Sequence, residues 1–217
     1  MAMLGFYGGT FDPIHQGHLQ LALYVAEHCQ LSCLQLLPCH LPPHRAHPGV
    51  SSTHRAAMVE LAIAPYPQLK LNLLELAKNS ASYTVETLLL LRQQYPTDTL
   101  LFVIGMDSLN QFQRWYRYQD ILQLCHLVVL QRPGYSAVDA ATQQLLQQHQ
   151  AVDLSALQQQ SAGKILLLDN PVYDISASQI RQSLQSDCIA VPTELQITAV
   201  SRYIRQHELY QVASEAP

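Results

Sequence analysis

Short apolar runs alternate with longer amphipathic stretches along almost the whole chain, and few folds satisfy that pattern. Six runs read as strands: Met3–Tyr7, Leu34–Pro38, Lys70–Leu74, Leu100–Ile104, Leu127–Gln131 and Lys164–Leu168. Between them lie Leu19–His28, Arg55–Ala64, Thr84–Gln94 and Ser136–Gln148, which carry apolar residues at helical spacing. Parallel strands need long crossovers, and helices of this length supply them. Right-handed crossovers then cover both faces of a mostly parallel sheet. The expectation is an α/β fold, Rossmann-like and doubly wound, with its ligand beyond the carboxyl ends of the strands.

Composition agrees with a folded core. Hydrophobic residues make up 48% of the 217 and charged residues only 13%, which excludes a disordered chain. A formal net charge of −4 argues against nucleic acid as a partner held by nonspecific attraction. No linker rich in Gly, Pro or Ser divides the chain, so residues 1–217 read as one domain with a helical carboxy-terminal part at about 171–210. The glutamine-rich segment Gln143–Gln160 reads as a solvent-facing helical excursion, and a last helix is expected from Thr193, after Pro192, to about His207.

The five cysteines (Cys29, Cys33, Cys39, Cys125, Cys188) form no CxxC pair, and Cys29, Cys33, Cys39 and His40 match no common zinc spacing. Ordinary core thiols in a reducing compartment are expected instead. No apolar stretch reaches the roughly 18 residues of a membrane helix. The first residues run into an apolar strand with no basic leader, so a cytoplasmic location is expected.

The first strand ends in Gly8-Gly9-Thr10-Phe11-Asp12-Pro13-Ile14-His15-Gln16-Gly17-His18. Two glycines at a strand end would let backbone N–H groups approach a ligand with no side chain in the way. A helix beginning near Gly17 aims its positive end at the same space, which favours phosphate. His15 and His18, three residues apart, can serve one anion together. A lone histidine is usually a surface or core residue, but this whole string after a strand points to nucleotide binding.

That string resembles the signature of the nucleotidyltransferase superfamily, whose HxGH element binds the triphosphate of ATP or CTP. The second motif is Ile175-Ser176-Ala177-Ser178-Gln179-Ile180-Arg181. Ser176 with Gln179 reads as a capping box, a common device by itself. The stretch is similar to the ISxTxIR element of the same superfamily, with serine at 178 in place of threonine. The resemblance implies ATP contacts from Gly8, Gly9, Thr10, Phe11, His15, His18, Gly105, Ser176, Ser178 and Arg181.

Further segments narrow the family. Pro42-Pro43-His44-Arg45, Ser82-Tyr83-Thr84-Val85-Glu86-Thr87, Gly105-Met106-Asp107-Ser108, Trp115-Tyr116 and Gln131-Arg132-Pro133-Gly134 stand in an order that resembles the bacterial nicotinate-nucleotide adenylyltransferases over nearly the whole chain. The resemblance places His44 and Arg45 near the acceptor phosphate and Asp107 on the nucleotide ribose. It also stacks Trp115 on a pyridine ring and turns Thr84 and Tyr116 toward its carboxylate. Taken singly, Asp107 could cap a helix, Trp115 could be core and the two prolines could stiffen a loop. One departure is Cys39-His40, where the family pattern has asparagine-type residues.

The reaction so implied joins the AMP of ATP to nicotinate mononucleotide and releases pyrophosphate. His15, His18 and Arg181 are the catalytic candidates, acting by position and charge. No carboxylate cluster lies near the motifs, so Mg²⁺ is expected to enter with ATP, and no protein metal site is expected. Alternatives are a related transferase acting on nicotinamide mononucleotide or phosphopantetheine, or a non-catalytic nucleotide-binding regulator. The sequence shows no acidic residue beside Trp115 that would favour an amide acceptor.

Overall fold

In Thr99–Gly105, the fourth strand, successive side chains alternate between two cores. Leu100, Phe102 and Ile104 enter one, while Leu101 and Val103 enter the other. A strand buried on both faces must be apolar throughout, which is why the strands show as continuous runs. The computed structural model describes residues 2–40, 49–77, 82–131, 139–185 and 196–211.

The strands are β1 (Met3–Gly9), β2 (Leu34–Pro38), β3 (Leu69–Leu71), β4 (Thr99–Gly105), β5 (His126–Leu130) and β6 (Ile165–Leu168). They lie in the order β3-β2-β1-β4-β5-β6, and every pairing is parallel. The doubly wound expectation holds. The chain builds outward from β1 to β3, returns to the middle, and builds the other way from β4. The reversal falls between β1 and β4, which are in register from Met3 opposite Thr99 to Tyr7 opposite Val103.

Helices α1 (Gln16–His28), α2 (Ser52–Ile63) and α9 (Thr198–Gln206) close one face with Leu19, Ala22, Val25, Met58, Val59, Val200 and Ile204. Helices α3 (Thr84–Gln94), α5 (Tyr118–Leu124) and α6 (Ala140–His149) close the other with Val85, Leu88, Leu91, Ile121 and Leu145. Shorter pieces are α4 (Met106–Leu109), a 3₁₀ turn at Phe112–Arg114, α7 (Ser155–Gln158) and α8 (Ala177–Gln185). Among the described residues no helix is long and apolar enough to cross a membrane.

Two differences from the sequence reading stand out, and a third expectation falls partly outside the described residues. β3 stops at Leu71 instead of Leu74, because the Asn72 amide donates to Gln35 Oε1 (2.7 Å) while its oxygen accepts the Leu74 N–H (2.9 Å), an Asx turn that leaves the ladder. The glutamine-rich segment is not one exposed helix. After α6 the Ala151 N–H donates to Ile165 O at the edge of β6 (2.8 Å), and Ala151 and Leu157 are buried. The last helix begins at Thr198, and its expected start at Thr193 lies outside the described residues.

His126 opens β5 at the end of the sheet away from the strands' carboxyl ends and is fully buried. Its Nδ1 accepts the Lys164 N–H (3.0 Å) and its Nε2 donates to Gln160 O (2.9 Å), a pattern that only a neutral ring satisfies. Burial holds its pKa below the usual histidine value. The unfolded chain therefore protonates first as pH falls, so this stability is present above about pH 6.5 and is lost as pH drops toward the folded value. Thermal midpoints between about pH 8 and pH 5 should fall across that window, and His126→Gln, which cannot titrate, should flatten the decline.

Candidate active site

The carboxyl ends of β1 and β4 open on a cleft of about 1460 Å³. β1 delivers Gly8 and Gly9, but their lack of side chains serves packing. A Cβ at Gly8 would lie 2.8 Å from Phe102 Cζ, and one at Gly9 would lie 2.8 Å from Phe11 Cζ. The strap that follows turns sharply at Phe11, whose φ is +48°. That ring is buried against Tyr7 (5.6 Å between centroids) and His18 (5.2 Å), so Phe11 can offer a ligand its backbone N–H.

The strap leads into α1. His15 is the residue before the first turn, and no side chain caps that turn. The positive end of the helix therefore opens on the cleft. His15 and His18 both line it, their rings 3.8 Å apart between centroids. Across the cleft stands the second motif. The Ser176 N–H donates to Gln179 Oε1 (2.7 Å) and the Gln179 N–H to Ser176 Oγ (3.2 Å), the capping box read from the sequence. One helical turn on, Arg181 donates from Nη1 to the Asp12 carbonyl (2.6 Å) and from Nη2 to Ser178 Oγ (3.2 Å). A Cβ on Gly17 would press on Ile175 Cγ2 at 3.0 Å, so the motifs touch where glycine leaves room.

The same cleft is also lined by Thr10, Thr84, Gly105, Asp107, Trp115 and Tyr116. Thr84 is the first residue of α3, and Asp107 sits in the first turn of α4, whose cap position is Gly105. Trp115 is half-buried and packs on Phe112 (5.6 Å), while Tyr116 is exposed and tilts over Tyr83 (5.0 Å). Every expected site residue among the described ones thus lines one cleft. His44 and Arg45 lie outside the described residues.

Comparison with known proteins fits this layout. A family model described as cytidylyltransferase-like matches residues 6–183. Curated relatives described as probable nicotinate-nucleotide adenylyltransferases include one from Cellvibrio japonicus, 45% identical over 96% of this chain and 98% of its own. Another, from Cronobacter sakazakii, is 43% identical over 98% of this chain and 97% of its own. The chain belongs to the nicotinate-nucleotide adenylyltransferase family. In fold it is also similar to the nicotinic acid mononucleotide adenylyltransferase of Plasmodium falciparum, solved with NaAD, at a TM-score of 0.75 and 17% identity, covering 97% of this chain and 98% of that one.

Within this adenylyltransferase the sequence reading missed a buried cation. Arg55 is fully buried on the apolar face of α2, with Val59, Ala62 and Ile63. Its guanidinium donates to the carbonyls of Thr10 (2.6 Å), Cys39 (2.7 Å), His40 (3.1 Å) and Val50 (3.4 Å). Because a planar peptide sets C=O and N–H in opposite directions, the Phe11 N–H points away from the guanidinium. The His40 N–H does the same and donates to Ser82 Oγ (3.0 Å). Arg55 thereby ties the strap to the loop after β2. The signal was an arginine on an apolar stripe.

Two other sequence readings are refined. Cys39 lines the cleft, but burial pushes its thiol pKa up, so it stays protonated and is no nucleophile. An acidic residue does face this cleft: Glu75, buried, accepts from Thr87 Oγ1 (2.9 Å) in the first turn of α3. Its distance in sequence from Trp115 hid it.

Arg55→Met should leave several buried carbonyls without a donor and cost at least about 3 kcal/mol in urea unfolding. Arg55→Lys, which keeps the charge but not the fork, should fall between that variant and wild type.

Proposed function

We propose that this chain transfers the adenylyl group of ATP to nicotinate mononucleotide, yielding nicotinate adenine dinucleotide and pyrophosphate, a step of NAD biosynthesis. The observation that carries the reading is one cleft with two different ends. His15, His18 and Arg181 supply donors and positive charge at one end, and Trp115, Tyr116 and the start of α3 supply an aromatic wall and helix N–H groups at the other.

In this reading ATP lies along the strap. An oxygen of the acceptor's 5′-phosphate attacks the α-phosphorus in line, the bond to the bridging oxygen of the β-phosphate breaks, and its electron pair leaves on pyrophosphate. No enzyme-bound intermediate is needed, so the protein's contribution is alignment and neutralisation of charge. His15 and His18 donate to oxygens of the α- and β-phosphates, and Arg181 holds the leaving pyrophosphate. Asp107 accepts from the acceptor ribose, Trp115 stacks on its ring, and His44 and Arg45 take its phosphate. Among the described residues no three His, Cys, Asp or Glu side chains gather to hold a metal ion. Mg²⁺ would therefore ride on ATP, where it would offset phosphate charge.

One observation favours a second reading, an amide acceptor. Glu75 could accept from a carboxamide NH₂, although its bond to Thr87 already engages it. The uncapped start of α3 presents N–H donors, which suit a carboxylate and oppose an amide. kcat/KM should therefore favour nicotinate mononucleotide over nicotinamide mononucleotide by about 10⁴ at saturating Mg·ATP. Equal efficiencies would remove the carboxylate assignment.

The histidine pair has its own test. His18 packs edge-on to Phe11, so His18→Asn is a gentler probe than alanine. Turnover should drop about 10²- to 10³-fold with the thermal midpoint nearly unchanged. A variant with normal turnover would take His18 out of the reaction.

A further inference from the structure

The phosphate cleft contains a carboxylate, which an anion-binding site should not tolerate unless other groups engage it. Asp12 lies in the strap between Phe11 and α1, lines the cleft, and is 7% exposed. Its two oxygens face different partners. Oδ1 accepts a hydrogen bond from the Tyr210 hydroxyl at 2.7 Å, and Oδ2 stands 3.8 Å from Nη1 of Arg181. That same Nη1 donates to the Asp12 backbone carbonyl at 2.6 Å.

Tyr210 reaches this point from the turn after α9, 198 positions from Asp12 in sequence. Its ring is buried in the core cluster that also takes Val200 and Ile204, so the hydroxyl has a fixed origin. Burial and the neighbouring carboxylate both push the phenol pKa up, which keeps Tyr210 a donor throughout the physiological range. A hydroxyl bond to one oxygen fixes the carboxylate plane and turns the other oxygen toward the guanidinium. Arg181 itself is a third exposed on a surface helix, and its Nη2 also donates to Ser178 Oγ, three residues back on the same helix. Without the strap, its long side chain would sample many rotamers before meeting a phosphate.

We infer that Tyr210 is a positioning residue for ATP: through Asp12 it holds the guanidinium of Arg181 against the phosphate strap. The inference rests on the reading of Arg181 as a phosphate ligand. Tyr210 lies outside the lining of the cleft. Its effect belongs to the ATP end of the cleft alone, which separates it from a staple that merely stabilises the fold.

A double-mutant cycle tests this with the full chain. Tyr210→Phe keeps the ring and removes only the hydroxyl; Arg181→Ala removes the guanidinium; the double variant completes the cycle. Mg·ATP affinity is read by calorimetry without acceptor, and KM for each substrate by pyrophosphate release. Tyr210→Phe should weaken Mg·ATP about tenfold, the worth of one hydrogen bond to a charged group, and leave KM for nicotinate mononucleotide within about twofold. In the Arg181→Ala background the same change should add nothing. If Arg181→Ala weakens ATP and Tyr210→Phe does not, the positioning role is wrong while the reading of Arg181 stands. If Arg181→Ala leaves ATP affinity intact, the reading of Arg181 fails and takes the inference with it. A loss shared equally by both substrates, or one that persists undiminished without Arg181, marks Tyr210 as a staple and overturns the proposal.

Discussion

A parallel sheet sends every strand to the same edge, and this chain reverses its direction of growth between β1 and β4. Connections leaving β1 and β4 must therefore diverge, and a cleft opens where no crossover covers the strand ends. The rest of the site follows from that gap. β1 empties into the strap and α1, β4 into Asp107 and the short helix α4, and the loops after β2 and β5 bring Cys39 and Gln131 to the walls. The site needs no dedicated domain because the topology leaves it open.

Inside the cleft the charges are arranged so that anions are welcome although the chain as a whole is acidic. Two of the carboxylates that line it are committed elsewhere: Asp12 to Tyr210 and Arg181, Glu75 to Thr87. Positive ends face inward, from the uncapped turn of α1 and from Arg181. Arg55 lies behind the strap with carbonyls as its acceptors, which satisfies its donors while leaving its charge unneutralised by them. In a cavity of low dielectric such a charge reaches further than it would in water. Net charge therefore says little about what this site binds.

What could be read from the sequence was whatever is local. Strands buried on both faces announce themselves as apolar runs, and five of the six lie within two residues of their expected limits at each end; only β3 was cut short by the side-chain bonds of Asn72. The contiguous strings at Gly8–His18 and Ile175–Arg181 marked two facing walls of the cleft. Pairings across the chain were hidden: Asp12 with Tyr210, Gly17 with Ile175, Glu75 with the cleft. Arg55 was missed because a charge is ordinarily read as surface. The two strand-end glycines also serve packing, which no local pattern shows, since aromatic rings fill the space their side chains would take.

The contact between Gly17 and Ile175 also has a meaning in time. A ribosome makes the strap near the start of the described chain and the facing motif near its end, with five of the six strands in between. At about 5–20 residues per second, the strap waits on the order of ten seconds or more for its counterpart. For the first part of that interval, until residue 105 is made, β1 lacks β4 along one edge, and Phe6 and Tyr7 lack much of the core that later buries them. The nascent chain thus holds its most interior strand paired on one edge alone, with β2, until β4 arrives. An open apolar strand edge at that stage is the kind of surface that chaperones shield.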